Sequence, residues 1–597
     1  MQPVDFTTLI AVCDELRSEW VPGRTEQVYQ RDRYTISLGL RTLKRRGWLT
    51  ISWHPQAARI GLGDSPPRTP DTFTFSDQLR HQLNGLALVA IQVIAPWERV
   101  LDLQFARRPG EPAIFHLYVE IMGKYSNVIL AGADNLIITA AHQVSAQQSS
   151  VRPIQTGQPY ELPPALTNTT PSLHESQERW QERVSLVPGA LQRQLLKSYR
   201  GLSPALVRSM AQAAELDPDQ LTNSLSASDW QRLFQRWQQW LQTLGIEKEL
   251  NVGTSSAEPS NLQHRFQPGW TDKGYTVLGW GVLKPAQTVQ TLLNDYYTAE
   301  LNQQEFTQLR HQLSQKLNNS LEKLRQKAST FTERLRQSDQ ADQHRQQADL
   351  LMAHLQDWKP GMKSITLVDF DTNEPVTIAL NPEKNAVQSA QALYKIHQKL
   401  KRARHAVEPL LQEVQEEIQY LEQVEASLSQ LDTYNTSDDL QTLQEIREEL
   451  IGQGYLDAPE QRGRSITDTS EPYRYRTPSG FELLIGRNNR QNDQLTFRTA
   501  GTYDLWFHTQ EIAGSHVLLR LEPGTVADEA DLQFAADLAA HYSRGRQSDQ
   551  VPVVYTQPKY VYKPKGAKPG MAIYKHETIL WGHPQQGSNY LMEEINR

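Results

Sequence analysis

The chain of 597 residues contains one cysteine, Cys13, and no uninterrupted apolar run of about 18 residues, the minimum for a membrane-spanning helix. A single cysteine excludes an intramolecular disulfide framework and a cysteine-based zinc cluster, and it suits a reducing cytosol. No transmembrane helix and no membrane partner are therefore expected. The opening MQPVDFTTLI carries Asp5 and lacks the basic and apolar regions of a signal peptide. We predict a cytoplasmic protein.

Motifs of hydrolases and nucleotide-binding enzymes are also missing. The chain has no HExxH zinc motif, no Gly-x-Ser-x-Gly turn and no Walker loop. His508 and His516, with Asp504, could suggest a metal site or a catalytic triad, but we expect both histidines to be hydrogen-bonded inside a β-domain. No catalytic residue, metal site or cofactor is predicted, so the protein is expected not to be an enzyme.

Charge of both signs is present, and its distribution is uneven. The formal net charge of −7 argues against a protein that coats nucleic acid indiscriminately. Acidic residues concentrate in 413–425 and 438–449. Basic residues form three clusters, which are Arg41, Lys44, Arg45 and Arg46, then Lys395, Lys399, Lys401, Arg402 and Arg404, and finally Lys559, Lys563, Lys565, Lys568 and Lys575.

Two stretches in the middle of the chain, roughly 295–355 and 393–431, carry apolar residues at alternating steps of four and three. The first series is Leu317, Leu321, Leu324, Ala328, Phe331 and Leu335. This rhythm predicts a narrow apolar seam between two helices, as in a coiled coil. Strand-like residues at 365–370 and 376–380 lie between the stretches, so we predict an antiparallel helical hairpin with a small β head. The alternative is a helical bundle inside an ordinary enzyme.

The length predicts three or more domains, because it exceeds what one hydrophobic core can organise. The fold class expected is α+β and multidomain. The predicted order is a β-rich domain at 1–185, a helix-hairpin-helix and return segment at 186–294, coiled-coil arms at 295–435 with the head at about 357–382, a linker at 436–472 and an α+β domain at 473–597.

Two features of the region 186–294 leave alternatives open. Residues 192–216 predict two helices around Gly201, with Ser203 as an N-cap. The backbone of such a helix-hairpin-helix can hold a phosphate, so Gly201 and Ser203 are candidate phosphate contacts, although simple packing also explains the pattern. A stripe of aromatic residues at helical spacing follows, and we expect it to be core rather than a base-stacking platform: Trp230, Phe234, Trp237 and Trp240.

The C-terminal region concentrates hydrogen-bond donors in one turn and lysines in one loop. The turn contains Arg487, Asn488, Asn489, Arg490 and Asn492, and the loop contains Lys559, Lys563, Lys565 and Lys568. Such donors suit phosphate and ribose oxygens, and the nearby tyrosines suit base stacking. A basic loop is usually only a solvated loop, but its coincidence with the turn favours RNA contact by these residues.

The same stretches carry a family resemblance. Residues 120–130, EIMGKYSNVIL, resemble the signature turn of the NFACT N-terminal domain in the NEMF/RqcH family, whose members were formerly described as fibronectin-binding protein A. Residues 480–493, GFELLIGRNNRQND, and 559–570, KYVYKPKGAKPG, are similar to the NFACT RNA-binding domain. The family's Asp-Arg pair falls on Glu98 and Arg99, a departure that keeps the charge and lengthens the acidic side chain.

The resemblance implies a ribosome quality control factor. Such a factor binds the large (50S) ribosomal subunit that still carries peptidyl-tRNA and recruits tRNA, alanyl-tRNA in bacteria. The peptidyl transferase centre of the ribosome then adds residues to the stalled chain without a template. Expected partners are tRNA-Ala, 23S rRNA and, for the arms, the stalk base. The residues implied to hold tRNA are Glu98, Arg99, Glu120, Ile121, Met122 and Lys124.

Two other function classes fit parts of this sequence. A surface adhesin that binds fibronectin follows from the older description of the family, and the expected lack of a signal peptide, anchor and disulfides argues against it. A nucleic-acid repair enzyme follows from the helix-hairpin-helix, which also occurs in DNA glycosylases. Those lyases use an N-terminal proline amine, and Pro3 lies one position too deep for this role.

Overall fold

The computed structural model describes the chain except residues 68–70, 146, 150–151, 165–166, 246–264, 459–468 and 596–597, and for 591–595 it describes the helix only. The chain divides into two units, Met1–Leu301 and Asn302–Arg597. In the described part of the chain, no helix combines the length and the apolar content that crossing a membrane requires. The predicted α+β multidomain fold class is confirmed.

A nine-stranded antiparallel sheet organises the first unit. Its spatial order is β4-β3-β2-β1-β5-β6-β7-β8-β9, with strands β1 (Gly23–Asp32), β2 (Thr35–Arg41), β3 (Arg46–Ser52), β4 (Arg59–Gly63), β5 (Ala87–Val93), β6 (Val100–Ala106), β7 (Phe115–Glu120), β8 (Asn127–Gly132) and β9 (Ile137–Ala140). Helices α1 (Phe6–Trp20) and α2 (Thr74–Leu83) contribute to the same core. Asp5 starts α1 by accepting a hydrogen bond from the Thr8 amide at 2.8 Å.

Four helices form a second core in the first unit. They are α3 (Gln177–Ser185), α4 (Leu191–Ser198), α5 (Pro204–Ala213) and α6 (Ala227–Leu244). The predicted aromatic stripe lies on α6 and is buried in this core, so the prediction of core packing is confirmed. The unit also contains a three-stranded sheet of β10 (Gly269–Thr271), β11 (Gly274–Thr276) and β12 (Lys284–Pro285).

The predicted arms are helices in the structure. The first consists of α7 (Val289–Ser338) and α8 (Ala341–Ala353), and the second is α9 (Ala386–Ser429). At 1.5 Å per residue α7 is about 75 Å long. The head between α8 and α9 is the antiparallel pair β13 (Ser364–Val368) and β14 (Pro375–Ala379), as predicted.

Burial along the seam of the arms is not uniform. Leu317 and Leu321 are buried, whereas Leu324, Phe331 and Leu335 are only partly buried. The buried part is covered by α9 and also by α10 (Ser437–Gly452), whose Leu443 side chain belongs to the same cluster. The seam residues Phe331 and Leu335 are not part of this cluster and are partly exposed.

The helix α10 lies inside the segment 436–472 that was predicted as a linker, and this part of the prediction is wrong. The glycines and prolines that suggested a linker follow the helix, whereas α10 itself repeats apolar residues at helical spacing and buries them: Leu440, Leu443, Ile446 and Leu450. Residues 459–468 of the predicted linker lie outside the described residues.

The C-terminal domain is built on a six-stranded antiparallel sheet. The spatial order is β15-β16-β18-β17-β19-β22, with strands β15 (Tyr473–Arg476), β16 (Glu482–Ile485), β17 (Leu505–Thr509), β18 (Val517–Leu519), β19 (Val551–Thr556) and β22 (Thr578–Gly582). A short pair, β20 (Val561–Tyr562) and β21 (Ile573–Tyr574), lies at the basic loop. The helices are α11 (Asn489–Gln494), α12 (Glu529–His541) and α13 (Pro584–Ile595).

Candidate RNA-binding surfaces

The candidate tRNA site consists of two segments of the chain, 98–99 and 120–124, which meet at one end of the N-terminal sheet. Strand β6 begins where β7 ends, and Val100 pairs with Glu120 in their register. The Ile121 amide donates to the Arg99 carbonyl at 2.9 Å. Glu98 and Arg99 therefore lie beside the 120–124 turn, although about 20 residues of chain separate them.

The side chains of Glu98 and Arg99 have partners in other elements. The Glu98 carboxylate lies 3.4 Å from the Arg200 guanidinium, and Arg99 donates to the Val4 carbonyl at 3.2 Å. Burial lowers the pKa of Arg99, while the negative charges of Asp5 and Glu98 oppose this shift. Both side chains are half-buried. Their contacts connect the end of the sheet to the start of the chain, through Val4, and to the loop between α4 and α5, through Arg200.

Glu120 is 1% exposed and binds two neighbours of the N-terminal domain. Its carboxylate accepts two hydrogen bonds from Arg152, one of them at 3.0 Å, and one from the Tyr160 hydroxyl at 2.9 Å. Burial, and next the charge of Glu120, raise the pKa of Tyr160. Ile121 is also buried, at 2%. Both side chains are therefore buried beneath the turn and support its backbone.

The exposed part of the candidate tRNA site is the turn itself. Gly123 has a φ of +57°, a backbone conformation that favours glycine. The amide of the half-buried Met122 donates to the Ser126 hydroxyl at 2.8 Å, which closes the turn. Lys124 is exposed, and its Nζ lies 4.9 Å from the ring centroid of Tyr125, which is 72% exposed. Sequence reasoning did not select Tyr125, although an aromatic residue in a polar turn is a signal for stacking.

The helix-hairpin-helix uses its polar groups internally. Ser203 is buried, accepts from the Leu206 amide at 3.0 Å and donates to the Asp5 carboxylate at 2.5 Å. Gly201 has a φ of +79° and packs against the Trp97 ring. The Ser203 hydroxyl is thus hydrogen-bonded within the protein, and the carboxylate of Asp5 lies at this helix start. Phosphate contact through the backbone at Gly201 and Ser203 stays a prediction.

The donor-rich turn of the C-terminal domain faces α10. Asn488 donates to Glu445 at 2.6 Å, and Asn489 donates to Glu449 at 3.0 Å. Arg487 lies 3.1 Å from an oxygen of Asp439. The remaining buried asparagine of the turn, Asn492, accepts from the His516 amide at 3.0 Å. These four side chains were expected to be free RNA donors, but in the structure they bind protein groups. Arg490 is the exposed member of the set and pairs with Glu448 at 3.2 Å.

Burial also changes the pKa of Glu449, the α10 carboxylate that accepts a hydrogen bond from Asn489. It raises the pKa of Glu449, and the hydrogen bonds from Asn489 and Tyr420 oppose this shift. The Tyr420 hydroxyl donates to Glu449 at 2.8 Å, and the pKa of Tyr420 is raised, first by its burial and next by that carboxylate. The acidic face of α10 therefore holds the turn through short, buried hydrogen bonds.

The four lysines of the basic loop differ in their surroundings. Lys559, Lys563 and Lys565 are exposed. Lys563 is hydrogen-bonded to Asp493. The Nζ of the half-buried Lys568 lies 4.6 Å from the ring centroid of Tyr420 and 4.8 Å from that of Tyr455. Burial lowers the pKa of Lys568. Three of the predicted lysines thus lie at the surface, one of them paired with Asp493, and Lys568 ties the loop to the protein.

The two histidines lie in the sheet domain at the C-terminus, His508 half-buried and His516 buried. His508 lies on β17, and burial lowers its pKa to about 4. Burial also lowers the pKa of His516, whose Nδ1 lies 2.7 Å from the Thr496 hydroxyl. Both rings therefore favour the neutral form.

The fold defines a multidomain protein with long helical arms and a C-terminal domain of mixed helix and sheet. Residues 5–468 match the model of the NFACT N-terminal and middle domains, and residues 471–575 match that of the NFACT protein RNA binding domain. The chain belongs to the NFACT family. This membership supports a role in ribosome quality control that involves RNA.

Relatives match over nearly the full length. The chain is 30% identical over 589 residues to the Rqc2 homolog RqcH of Bacillus subtilis, covering 96% of each chain. It is 29% identical over 579 residues to the Rqc2 homolog RqcH of Streptococcus suis, covering 95% of each. A solved structure, the C-terminal part of the fibronectin/fibrinogen-binding protein from Streptococcus suis, is 31% identical, covers 47% of this chain and 95% of that one, and has a TM-score of 0.36.

Proposed function

We propose that this protein is a cytoplasmic ribosome quality control factor that binds 50S subunits obstructed by peptidyl-tRNA and recruits tRNA for template-free C-terminal tailing of the stalled chain. The recruited species is alanyl-tRNA, and the chemistry is that of the peptidyl transferase centre. The observation that carries the proposal is the match of both NFACT models along almost the whole chain. The protein itself is a positioning factor and performs no catalytic step.

The tRNA contact is assigned to the end of the sheet formed by Glu98, Arg99 and 120–124. Lys124 and Tyr125 support this assignment, because an exposed cation beside an exposed aromatic ring suits a phosphate next to an unpaired base. Glu98 and Arg99 contribute through the backbone and charges that shape this end. The half-buried Met122 and the buried Glu120 and Ile121 hold the turn.

The ribosome contacts are assigned to the arms and the basic loop. A helix about 75 Å long can reach a distant part of a large particle such as the stalk base. Lys559, Lys563 and Lys565 can meet rRNA phosphates, and such contacts weaken as salt rises because binding releases counterions from the RNA.

The test is to recover the protein from cells on sucrose gradients and to sequence the RNA that copurifies. We expect cosedimentation with 50S subunits and enrichment of tRNA-Ala. Lys124→Gln should lower the tRNA recovered several-fold without loss of 50S cosedimentation, since it removes one exposed cation from the turn. The matched control is Arg108→Gln, an exposed cation elsewhere in the same domain.

Three outcomes would contradict the proposal. A cell-surface pool without 50S cosedimentation would favour the fibronectin-binding adhesin. Base release or strand cleavage by the purified protein would favour the repair enzyme. Equal recovery of tRNA with wild type, Lys124→Gln and Arg99→Ala would remove this end of the sheet from the tRNA contact.

A further inference from the structure

A pocket of about 560 Å³ opens on the C-terminal domain next to α11. Its volume lies within the roughly 300–1,000 Å³ of pockets that hold small ligands or parts of larger ones. The side chains that line it include three cations, one carboxylate, one amide and one aromatic ring, namely Arg490, Arg498, Lys563, Asp493, Gln494 and Phe497. Neither the family resemblance nor the proposed function assigned a role to the residues between 494 and 498.

The backbone next to the pocket has an unusual form. Residues Leu495–Thr499 make a π-helical turn directly after α11. π-helical turns are rare and are frequent at functional sites, because the inserted residue changes the direction of the side chains that follow it. Phe497 and Arg498 belong to this turn and line the same pocket as Arg490 and Gln494, which belong to α11.

Phe497 provides a supported aromatic surface. It is half-buried and packs against the cluster of Trp506, Val554 and Val561, while it also lines the pocket. A ring held by packing on one side loses little conformational freedom when a base stacks on it, and base stacking on aromatic side chains tolerates any base. The ring is therefore suited to a planar ligand.

The cations around Phe497 suit a ligand with negative charge. Arg498 is exposed, and no carboxylate lies within 4.0 Å of its guanidinium in the described part of the chain. Arg490 and Lys563 pair with Glu448 and Asp493 at the surface. Surface ion pairs contribute little to stability, so a phosphate can replace or join them at low cost.

We propose that this pocket holds one unstacked nucleotide of a single-stranded RNA, with its base against Phe497 and its flanking phosphates at Arg490, Arg498 and Lys563. A base inside a duplex hides its faces in the stack, so only an unpaired nucleotide can offer a face to this ring. The inference rests on the proposed function only in that the domain contacts RNA. It adds the form of the RNA and the residues that select it.

The test measures binding of a short, labelled single-stranded RNA of mixed sequence to the full chain, and of free uridine monophosphate. Phe497→Leu keeps an apolar side chain in the packed cluster and removes the ring. We expect an affinity for single-stranded RNA lower by about fivefold or more. Phe497→Tyr keeps the ring and should retain the wild-type affinity. Melting temperatures of the variants are measured alongside, and Phe497→Tyr serves as the folded reference.

A second pair of variants tests the cations. Arg498→Gln should reduce the slope of log affinity against log salt by about 0.7, the value for one phosphate of a single strand. Arg476→Gln removes another exposed arginine, on β15 of the same domain, and should leave the slope unchanged. With 4-thiouridine in the RNA, crosslinks are expected within 490–498.

The outcomes separate the pocket from the proposed function. If wild type cosediments with 50S subunits but Phe497→Leu and Arg498→Gln bind single-stranded RNA as wild type does, the pocket proposal is overturned and the proposed function stands. If uridine monophosphate binds as tightly as the RNA, the pocket serves a free nucleotide and the proposal is likewise overturned. If the RNA binds as expected without 50S cosedimentation, the pocket proposal stands and the proposed function fails.

Discussion

The donor-rich turn at 487–492 and the basic loop at 559–568 carry the same kind of polar side chain, yet their surroundings are opposite. In the turn, asparagine and arginine side chains bind buried acids of α10. In the loop, Lys559, Lys563 and Lys565 are exposed. The turn thus holds the C-terminal domain to α10, and the loop leaves its lysines at the surface.

The difference shows that a cluster of donors in the sequence does not by itself make a binding surface. A buried carboxylate needs several donors, because an unpaired buried charge is costly. Such a carboxylate therefore attracts the same residue types that a phosphate would. Four substitutions can break or sharpen the contrast between the turn and the loop.

The largest effect is expected for Glu445→Ala. Glu445 is 4% exposed and accepts from Asn488 and from the Ser470 amide, both at 2.6 Å, and from the Ser470 hydroxyl at 2.9 Å. Its removal leaves buried donors unpaired and should lower the free energy of unfolding by about 3 kcal/mol. Thermal unfolding and hydrogen exchange of the β16 amides measure this loss of stability. Glu448→Ala, on the outer side of α10, should cost no more than about 1 kcal/mol.

Lys568→Gln should have an intermediate effect. The substitution removes the cation between the rings of Tyr420 and Tyr455, and this should cost about 1 kcal/mol of stability. Thermal unfolding is compared with that of Lys565→Gln. If the two variants had equal melting temperatures, the contacts of Lys568 with the two rings would contribute no more to stability than the exposed side chain of Lys565 does.

Glu449→Gln tests the buried acid through pH. Burial raises the pKa of Glu449 above its ordinary 4.5, so the folded protein retains this proton at a higher pH than the unfolded chain does. The stability contributed by Glu449 is therefore fully present below the unfolded pKa and is lost as pH rises through the folded pKa. Relative to wild type, Glu449→Gln should gain stability over that window, by about 1.4 kcal/mol per unit difference in pKa. Denaturant unfolding at several pH values measures this gain, and a difference independent of pH would contradict it.

The smallest effect on stability is expected for Lys565→Gln, within about 0.5 kcal/mol, because the side chain is exposed. The same variant should bind RNA more weakly and with a salt slope reduced by about 0.7 to 0.9. Titrations at several salt concentrations check this, with Arg476→Gln as the control. An unchanged slope would remove Lys565 from the RNA contact.

Periodic features of the chain could be predicted from the sequence, and boundaries set by packing could not. The arms, the β head and the buried aromatic stripe follow from side-chain spacing alone, and all three are present. The helix α10 was missed because its neighbours are rich in glycine and proline. The meeting of Arg99 with the 120–124 turn was implied by resemblance, but its geometry depends on the pairing of β6 with β7.

The sequence by itself determined the helical arms, the β head and the family, because spacing and motif are local properties of a chain. Only the tertiary structure decided which polar residues remain available. Asn488 and Lys565 are both strong donors, but one lies against a buried carboxylate and the other faces water. Whether a polar residue is buried or exposed depends on which helix packs over its segment. This packing is determined by residues that lie far apart in the chain.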